Sequence, residues 1–189
     1  MDAVLTSPGL YSADTIRRLY LGDGWWDLAP FWAELFALGK GRDTQKKDLS
    51  STRNYSAEST HFMGLLAEKT VSLETGIDVD TVLRYEGDGG KDFEHDGIRF
   101  DIKGTLYYRA PHLKQNKNPK HWADCYVLVG INLLAKQTRV FGWETRELVQ
   151  QAPLVNYGYG PRYSLTADKL MPGLPDVLPS LRKAYGIEH

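Results

Sequence analysis

Three residues that could do metal chemistry, Asp92, Asp101 and Lys103, fall within one stretch: Lys91-Asp92-Phe93-Glu94-His95-Asp96-Gly97-Ile98-Arg99-Phe100-Asp101-Ile102-Lys103-Gly104. Their relation depends on the turn between them. Asp-Gly suits a two-residue type I′ hairpin turn, in which both central residues need φ > 0. With Asp96-Gly97 as that loop, His95 faces Ile98, Glu94 faces Arg99, Phe93 faces Phe100 and Asp92 faces Asp101. Opposed residues have Cβ atoms about 5 Å apart, so Glu94 and Arg99 attract while Asp92 and Asp101 repel. A divalent cation between the two carboxylates would remove the repulsion, because hard cations take oxygen ligands. Lys103 points to the same face and relieves part of it. Spacing alone leaves two readings open: a cation site, or a solvated strand face whose charges have no function.

The surrounding elements must position these groups. Ile98, Phe100 and Ile102 alternate with Arg99, Asp101 and Lys103, the period of a half-buried strand. Upstream, residues Ser56 to Thr75 read as a helix that stops at Gly76. Glu68 on this helix has Gly64, Leu65, Val71 and Ser72 as its neighbours at three and four residues, an uncharged stripe. His61 lies two turns earlier on the same side; a satisfied, partly buried histidine explains it without a functional role. Thr81 to Tyr85 reads as a strand entering the hairpin. The flexible turn after it, Glu86 to Gly90, offers Asp88 as a competing carboxylate, ranked below Asp92 because only Asp92 is set opposite Asp101. Downstream, Tyr126 to Ile131 fits a strand buried on both faces, Gln137 to Trp143 another strand, and Glu144 to Gln151 a helix.

Outside this core, Ser12 to Leu21 reads as a short helix broken by Gly22-Asp23-Gly24. A second helix is expected over Phe31 to Leu38, with Pro30 suited to its first position. Gly39 to Ser51 reads as a linker. The dense aromatics Trp25, Trp26, Phe31, Trp32 and Phe36 would pack this arm on the core or on a second subunit, with base stacking the alternative. From Ala152 the chain reads as an extended wrapping arm with a short helix near Leu178 to Tyr185. The expected organisation is therefore a single α/β domain: a helical N-terminal arm (1–50), a core with a mixed central sheet flanked by helices (51–151) and a C-terminal extension (152–189).

Composition excludes several classes. The chain has 189 residues, a formal net charge of −1 and a single cysteine, Cys125. No global field advertises a polyanionic partner, so any such signal must be local. One comes from Gly104 to His121, which contains no acidic residue but carries Arg109, Lys114, Lys117 and Lys120 among aromatics. That mixture suits a phosphate backbone, and equally a solvated loop. No apolar run is long enough for a bilayer, and no secretory leader, lipidation motif, Walker loop, dinucleotide fingerprint or zinc spacing occurs. No membrane association is expected; with the lone cysteine, a cytoplasmic location is, in a bacterium or a phage-infected host.

A helix bearing Glu68, a strand, Asp92, then Asp101-Ile102-Lys103, two further strands and a helix: this order resembles the PD-(D/E)XK nuclease superfamily, over roughly Ser56 to Gln151. Gly-Asp-Gly-Gly-Lys-Asp-Phe and Asp-Ile-Lys-Gly-Thr look like the versions in small phage-encoded and restriction-type members. The departure is Lys91 where the motif has proline. The resemblance implies a restriction-endonuclease-like core of αβββαβ type. It implies that Glu68, Asp92, Asp101 and the Ile102 carbonyl hold Mg²⁺, with Mn²⁺ as a substitute, and that Lys103 orients or deprotonates the attacking water. The implied activity is a Mg²⁺-dependent DNA endonuclease of restriction, junction-resolving or phage type. DNA contacts would involve His61, Arg109, Lys114, Lys117 and Lys120, and a homodimer is compatible. The alternative is a non-catalytic nucleic-acid-binding or assembly module that keeps the fold.

Overall fold

The computed structural model describes residues 11–45, 57–78, 92–106, 109–118, 122–158 and 160–187. The expected strand at Thr81 to Tyr85, the turn with Asp88, and Lys120 lie outside them. In chain order, helix α1 (Ala13–Leu19) is capped by Ser12, whose hydroxyl accepts the Thr15 N–H. Strands β1 (Tyr20–Gly22) and β2 (Trp25–Asp27) follow, then a 3₁₀ turn over Ala29–Phe31 with Pro30 in its first turn, and helix α2 (Trp32–Gln45). Helix α3 (Ala57–Thr75) ends at Gly76, whose φ is +72° and whose N–H closes on the Ser72 carbonyl. Then come β3 (Phe93–His95), β4 (Ile98–Thr105), β5 (His112–Asn116), β6 (Cys125–Asn132), β7 (Gln137–Thr145) and α4 (Arg146–Gln151). Strands β8 (Leu154–Asn156) and β9 (Pro161–Thr166) and helix α5 (Leu181–Ala184) complete the chain.

The main sheet is mixed, with order β1-β2-β7-β6-β4-β3; only β4 and β6 run parallel. One face packs on α3, where Ala67 and Val71 meet Phe100, Ile102, Val127 and Val129. The opposite face carries Tyr126 and Leu128 and is covered by a second sheet, β5-β9-β8, through Leu113. The α/β class with a mixed sheet flanked by helices is therefore as expected.

Four expectations need correction. The N-terminal arm is not purely helical, because β1 and β2 join the main sheet beside β7. Gly22-Asp23-Gly24 does more than break a helix: Asp23 (φ +49°) and Gly24 (φ +77°) turn the chain from β1 into β2. Residues 39–45 continue α2 instead of forming a linker. The C-terminal segment does not simply wrap the core, since β8 and β9 build the second sheet. The connection from β4 to β6 also departs from an αβββαβ order. Among the described residues it carries strand β5 and no helix.

Gly104 sets how closely α3 lies on β4. A Cβ there would stand 3.0 Å from the Met63 carbonyl oxygen and 3.1 Å from Ile131 Cδ1. Helix backbone cannot yield as a flexible side-chain tip can. Gly104→Ala is expected to cost about 1–3 kcal/mol, the usual price of forcing atoms into a filled interface. Urea denaturation would read this as a lower midpoint at unchanged slope; an unchanged midpoint would show that the contact is slack.

Candidate active site

The hairpin has the register expected from its turn. Asp96 (φ +49°) and Gly97 (φ +77°) both occupy the left-handed region, and the pairs are Phe93↔Phe100, Glu94↔Arg99 and His95↔Ile98. Phe93 and Phe100 stack with ring centroids 4.8 Å apart. The regular ladder stops at Phe93. The Asp92 N–H still donates to the Phe100 carbonyl at 2.8 Å, and the Asp92 carboxylate takes the Ile102 N–H at 2.5 Å. A side chain thus serves the β4 backbone where β3 ends.

Because Phe100 and Ile102 face α3, the alternation of a strand sends Asp101 and Lys103 to the other face. That face is only partly open to solvent, with Arg99 and Lys103 half-buried. Asp101 is buried, flanked across the parallel pair by Tyr126. Lys103 Nζ lies 2.6 Å from Asp101 Oδ2. Burial, and then the Asp101 charge, push the Tyr126 hydroxyl up to about 12.

Glu68 reaches this neighbourhood from α3. On the far side of the helix the hydroxyls of Thr70 and of Thr138 on β7 are hydrogen-bonded at 2.6 Å. Glu68 lies two residues before Thr70, about 160° round the helix axis at 3.6 residues per turn. It is therefore on the side toward β4 and β3. Gly64 leaves it room, since a Cβ there would come 3.7 Å from Glu68 Oε1.

The electrostatics join these groups. Burial, then the charges of Asp101 and Glu68, hold the Asp92 carboxyl well above the usual carboxylate range; the Ile102 N–H and the Lys103 ammonium pull it down. So Glu68, Asp92, Asp101 and Lys103 share one field. Among the described residues, however, no three His, Cys, Asp or Glu side chains gather closely enough to close on a metal ion. Two of the acids are already engaged: Asp92 by the Ile102 N–H and Asp101 by Lys103. The donor set itself fits a hard cation, being carboxylate oxygens whose mutual repulsion a divalent charge would relieve.

A stability consequence follows for the metal-free protein. An acid whose folded pKa exceeds its unfolded one binds its proton more tightly when folded. Between the two values the folded state carries more protons, so stability falls as pH rises through that window. Asp92→Asn removes the half-buried charge but retains an oxygen for the Ile102 N–H. In EDTA it is expected to melt above wild type at pH 8, with the gap narrowing toward pH 4. Each kcal/mol is worth roughly 2–4 °C in a chain of this length. A variant that melts below wild type at pH 8 would refute this account of Asp92.

The remaining expected residues are dispersed. His61 is half-buried on α3. Arg109 and Lys117 are exposed, at the two ends of β5. Lys114 lies on the outward face of the second sheet, its ammonium 3.9 Å from the Tyr157 ring centroid. Arg99 does not depend on Glu94 as its ion-pair partner. Its guanidinium grips Asp124 with Nε–Oδ2 at 2.9 Å and Nη2–Oδ1 at 3.0 Å, and Arg146 bonds the same carboxylate. The Arg99 hydrogen bonds outweigh burial and lower the Asp124 carboxyl to about 2. Nothing in the local sequence signals this clamp, which joins β4, the start of β6 and α4 across long separations.

Known protein families, curated proteins and solved structures offer no match to this chain. No helix among the described residues is long and apolar enough to cross a membrane.

Proposed function

We propose that the chain is a divalent-metal-dependent nuclease that hydrolyses phosphodiester bonds in DNA, of the PD-(D/E)XK type. One observation carries the reading: Asp92 is bonded to β4 through the Phe100 carbonyl and the Ile102 N–H, beside the Asp101–Lys103 pair, where burial and the charges of Asp101 and Glu68 push its carboxyl upward. Carboxylates crowded in this way bind cations, and crowding is costly without one. Support also comes from the hairpin register, in which Phe93 pairs with Phe100, the residue before the Asp101-x-Lys103 run.

In this reading Glu68, Asp92 and Asp101 hold Mg²⁺ or Mn²⁺, with the Ile102 carbonyl as a further donor. What the ion supplies when bound is Lewis-acid stabilisation of phosphoryl charge and a nucleophile at neutral pH. Lys103 holds its ammonium beside the acids, orients the attacking water and donates a hydrogen bond to the phosphoryl oxygens as charge develops. Asp101 fixes the Lys103 ammonium through the 2.6 Å contact until substrate competes for it. Asp92 braces β4 through Ile102, keeping Asp101 and Lys103 in register.

A second reading, a non-catalytic nucleic-acid-binding or assembly module, is favoured by one feature. Lys103 and Asp101 neutralise each other as an ordinary ion pair. Incubation with supercoiled plasmid and with a four-way junction separates the two. The nuclease reading expects nicking with Mg²⁺ or Mn²⁺ that EDTA abolishes. Bound but intact DNA at every metal concentration would select the second.

A further inference from the structure

We infer that the outer face of the second sheet, β5-β9-β8, docks the phosphate backbone of duplex DNA, by charge and without regard to sequence. The inference goes beyond the nuclease reading and stands without it, because it needs no metal and none of Glu68, Asp92, Asp101 and Lys103.

Register fixes what this face carries. Leu113 turns inward onto the main sheet, so strand alternation sends His112 and Lys114 outward. Cross-strand pairing puts Thr166 beside His112, Ser164 beside Lys114 and Arg162 one pair further along. Lys114 and Arg162 are thus diagonal neighbours on one face, with Cα atoms about 7–8 Å apart. Exposed Arg109 and Lys117 stand beyond the two ends of β5. No Asp or Glu occurs from Gly104 to Ala123 or from Leu148 to Ala167, the two stretches that supply all three strands. The whole chain holds 24 acids in 189 residues, so the gap is local. Asp168, just past β9, takes a hydrogen bond from Thr166 and feels His112, which together hold its carboxyl below the usual range. His112 is therefore left out of the count, and four cations remain.

The face is also built. Ser164 is only 8% exposed, and its hydroxyl lies 2.7 Å from the Tyr157 hydroxyl and 3.2 Å from His112 Nδ1. This pins the Tyr157 ring over the sheet, and the Lys114 ammonium sits 3.9 Å from the ring centroid. A solvated lysine has no such seat. Seating orders the side chain before a ligand arrives and leaves its N–H donors available, so less ordering entropy is lost on binding.

The same seat selects the duplex. One face of Tyr157 is taken by Lys114, so it offers no platform there for the base stacking that holds single strands. Selection then falls to charge density. Duplex DNA presents one negative charge per about 1.7 Å of axis, against about 3.4 Å for one strand.

The test is fluorescence anisotropy of a labelled duplex of about 20 base pairs with the full chain in EDTA, over a range of salt. With four phosphate contacts, log K should fall against log salt with a slope of about −3 to −4. Lys114→Gln/Arg162→Gln should weaken binding about tenfold at low salt and reduce that slope by about two. Arg17→Gln/Arg18→Gln, which removes the same net charge from α1, should change neither. In wild type, duplex should slow acetylation of Lys114 as read by mass spectrometry, a readout that does not depend on how the variants fold. Equal losses in the two double variants, tighter binding of single strand than of duplex, equal binding of polyglutamate, or unprotected Lys114 would each overturn the assignment. Metal and cleavage do not enter, so this surface can fail while the nuclease reading stands, and the converse holds too.

Discussion

Lys103→Ala and Asp101→Asn are each expected to lower Mg²⁺-dependent plasmid cleavage by about 10²–10⁴-fold, the range a positioned acid–base group contributes. Binding of DNA should persist in both. The two substitutions act differently and can be told apart. Asp101→Asn keeps the shape of a buried side chain but deletes one of the charges that raise Asp92. It should shift the metal titration to higher concentration as well as slow the chemistry. Lys103→Ala removes the ammonium that lies 2.6 Å from Asp101 and opposes the upward push on Asp92. It should leave metal affinity equal or tighter, since a competing cation is gone, while the rate falls. Lys103→Arg tests the same point. A guanidinium keeps the charge but is a planar fork, not a compact ammonium 2.6 Å from Asp101, so it should restore little activity. Cleavage at equal rates by wild type and both variants, or cleavage indifferent to EDTA, would remove these residues from any catalytic role.

Much of this site was legible because its determinants are local. The turn chemistry of Asp96-Gly97 fixes the pairing of every residue between Phe93 and Phe100, and strand alternation then fixes the facing of Asp101 and Lys103. The helix from Ala57 to Thr75 announces itself by composition and by Gly76. The same Asp-Gly signature occurs at Asp23-Gly24, yet β1 and β2 were hidden there. Each is three residues long, too short to display a period. Their strand state is decided by β7, which lends them an edge to pair with. Burial of the Asp101 face was hidden for a similar reason. The cover comes from β5, β8 and β9, and a Pro- and Gly-rich stretch such as 152–166 shows no alternation that would mark it as sheet. Partners far apart in sequence, such as Arg99 with Asp124, leave no mark on local spacing.

Glu74 is the strongest case of a residue that spacing makes ordinary and folding makes indispensable. It sits at the end of α3, only 3% exposed, and both carboxylate oxygens are used. Oε1 accepts the Trp26 indole N–H at 2.8 Å, and Oε2 accepts Arg182 Nε at 2.7 Å. Arg182 also donates to the Tyr20 hydroxyl at 3.1 Å, and that hydroxyl in turn accepts the Gly24 N–H at 3.0 Å. One carboxylate thereby ties α3 to the β1–β2 hairpin and to α5. Removing one member of a buried pair strands the other, at a cost of about 3–5 kcal/mol. Glu74→Leu or Arg182→Leu alone should therefore lower the melting temperature by roughly 6–20 °C, at about 2–4 °C per kcal/mol. The double variant should recover much of that loss, because a buried pair replaced by apolar groups of similar size is often neutral. The same fixation bears on the candidate site. Glu68 lies less than two turns upstream on α3, so a helix loosened at Glu74 displaces the acid that Asp92 feels. Either single variant should then need more metal for half-maximal cleavage even at temperatures where it is folded. Additive losses in the double variant, or single losses below about 1 kcal/mol, would show that the three elements are held together by apolar packing alone.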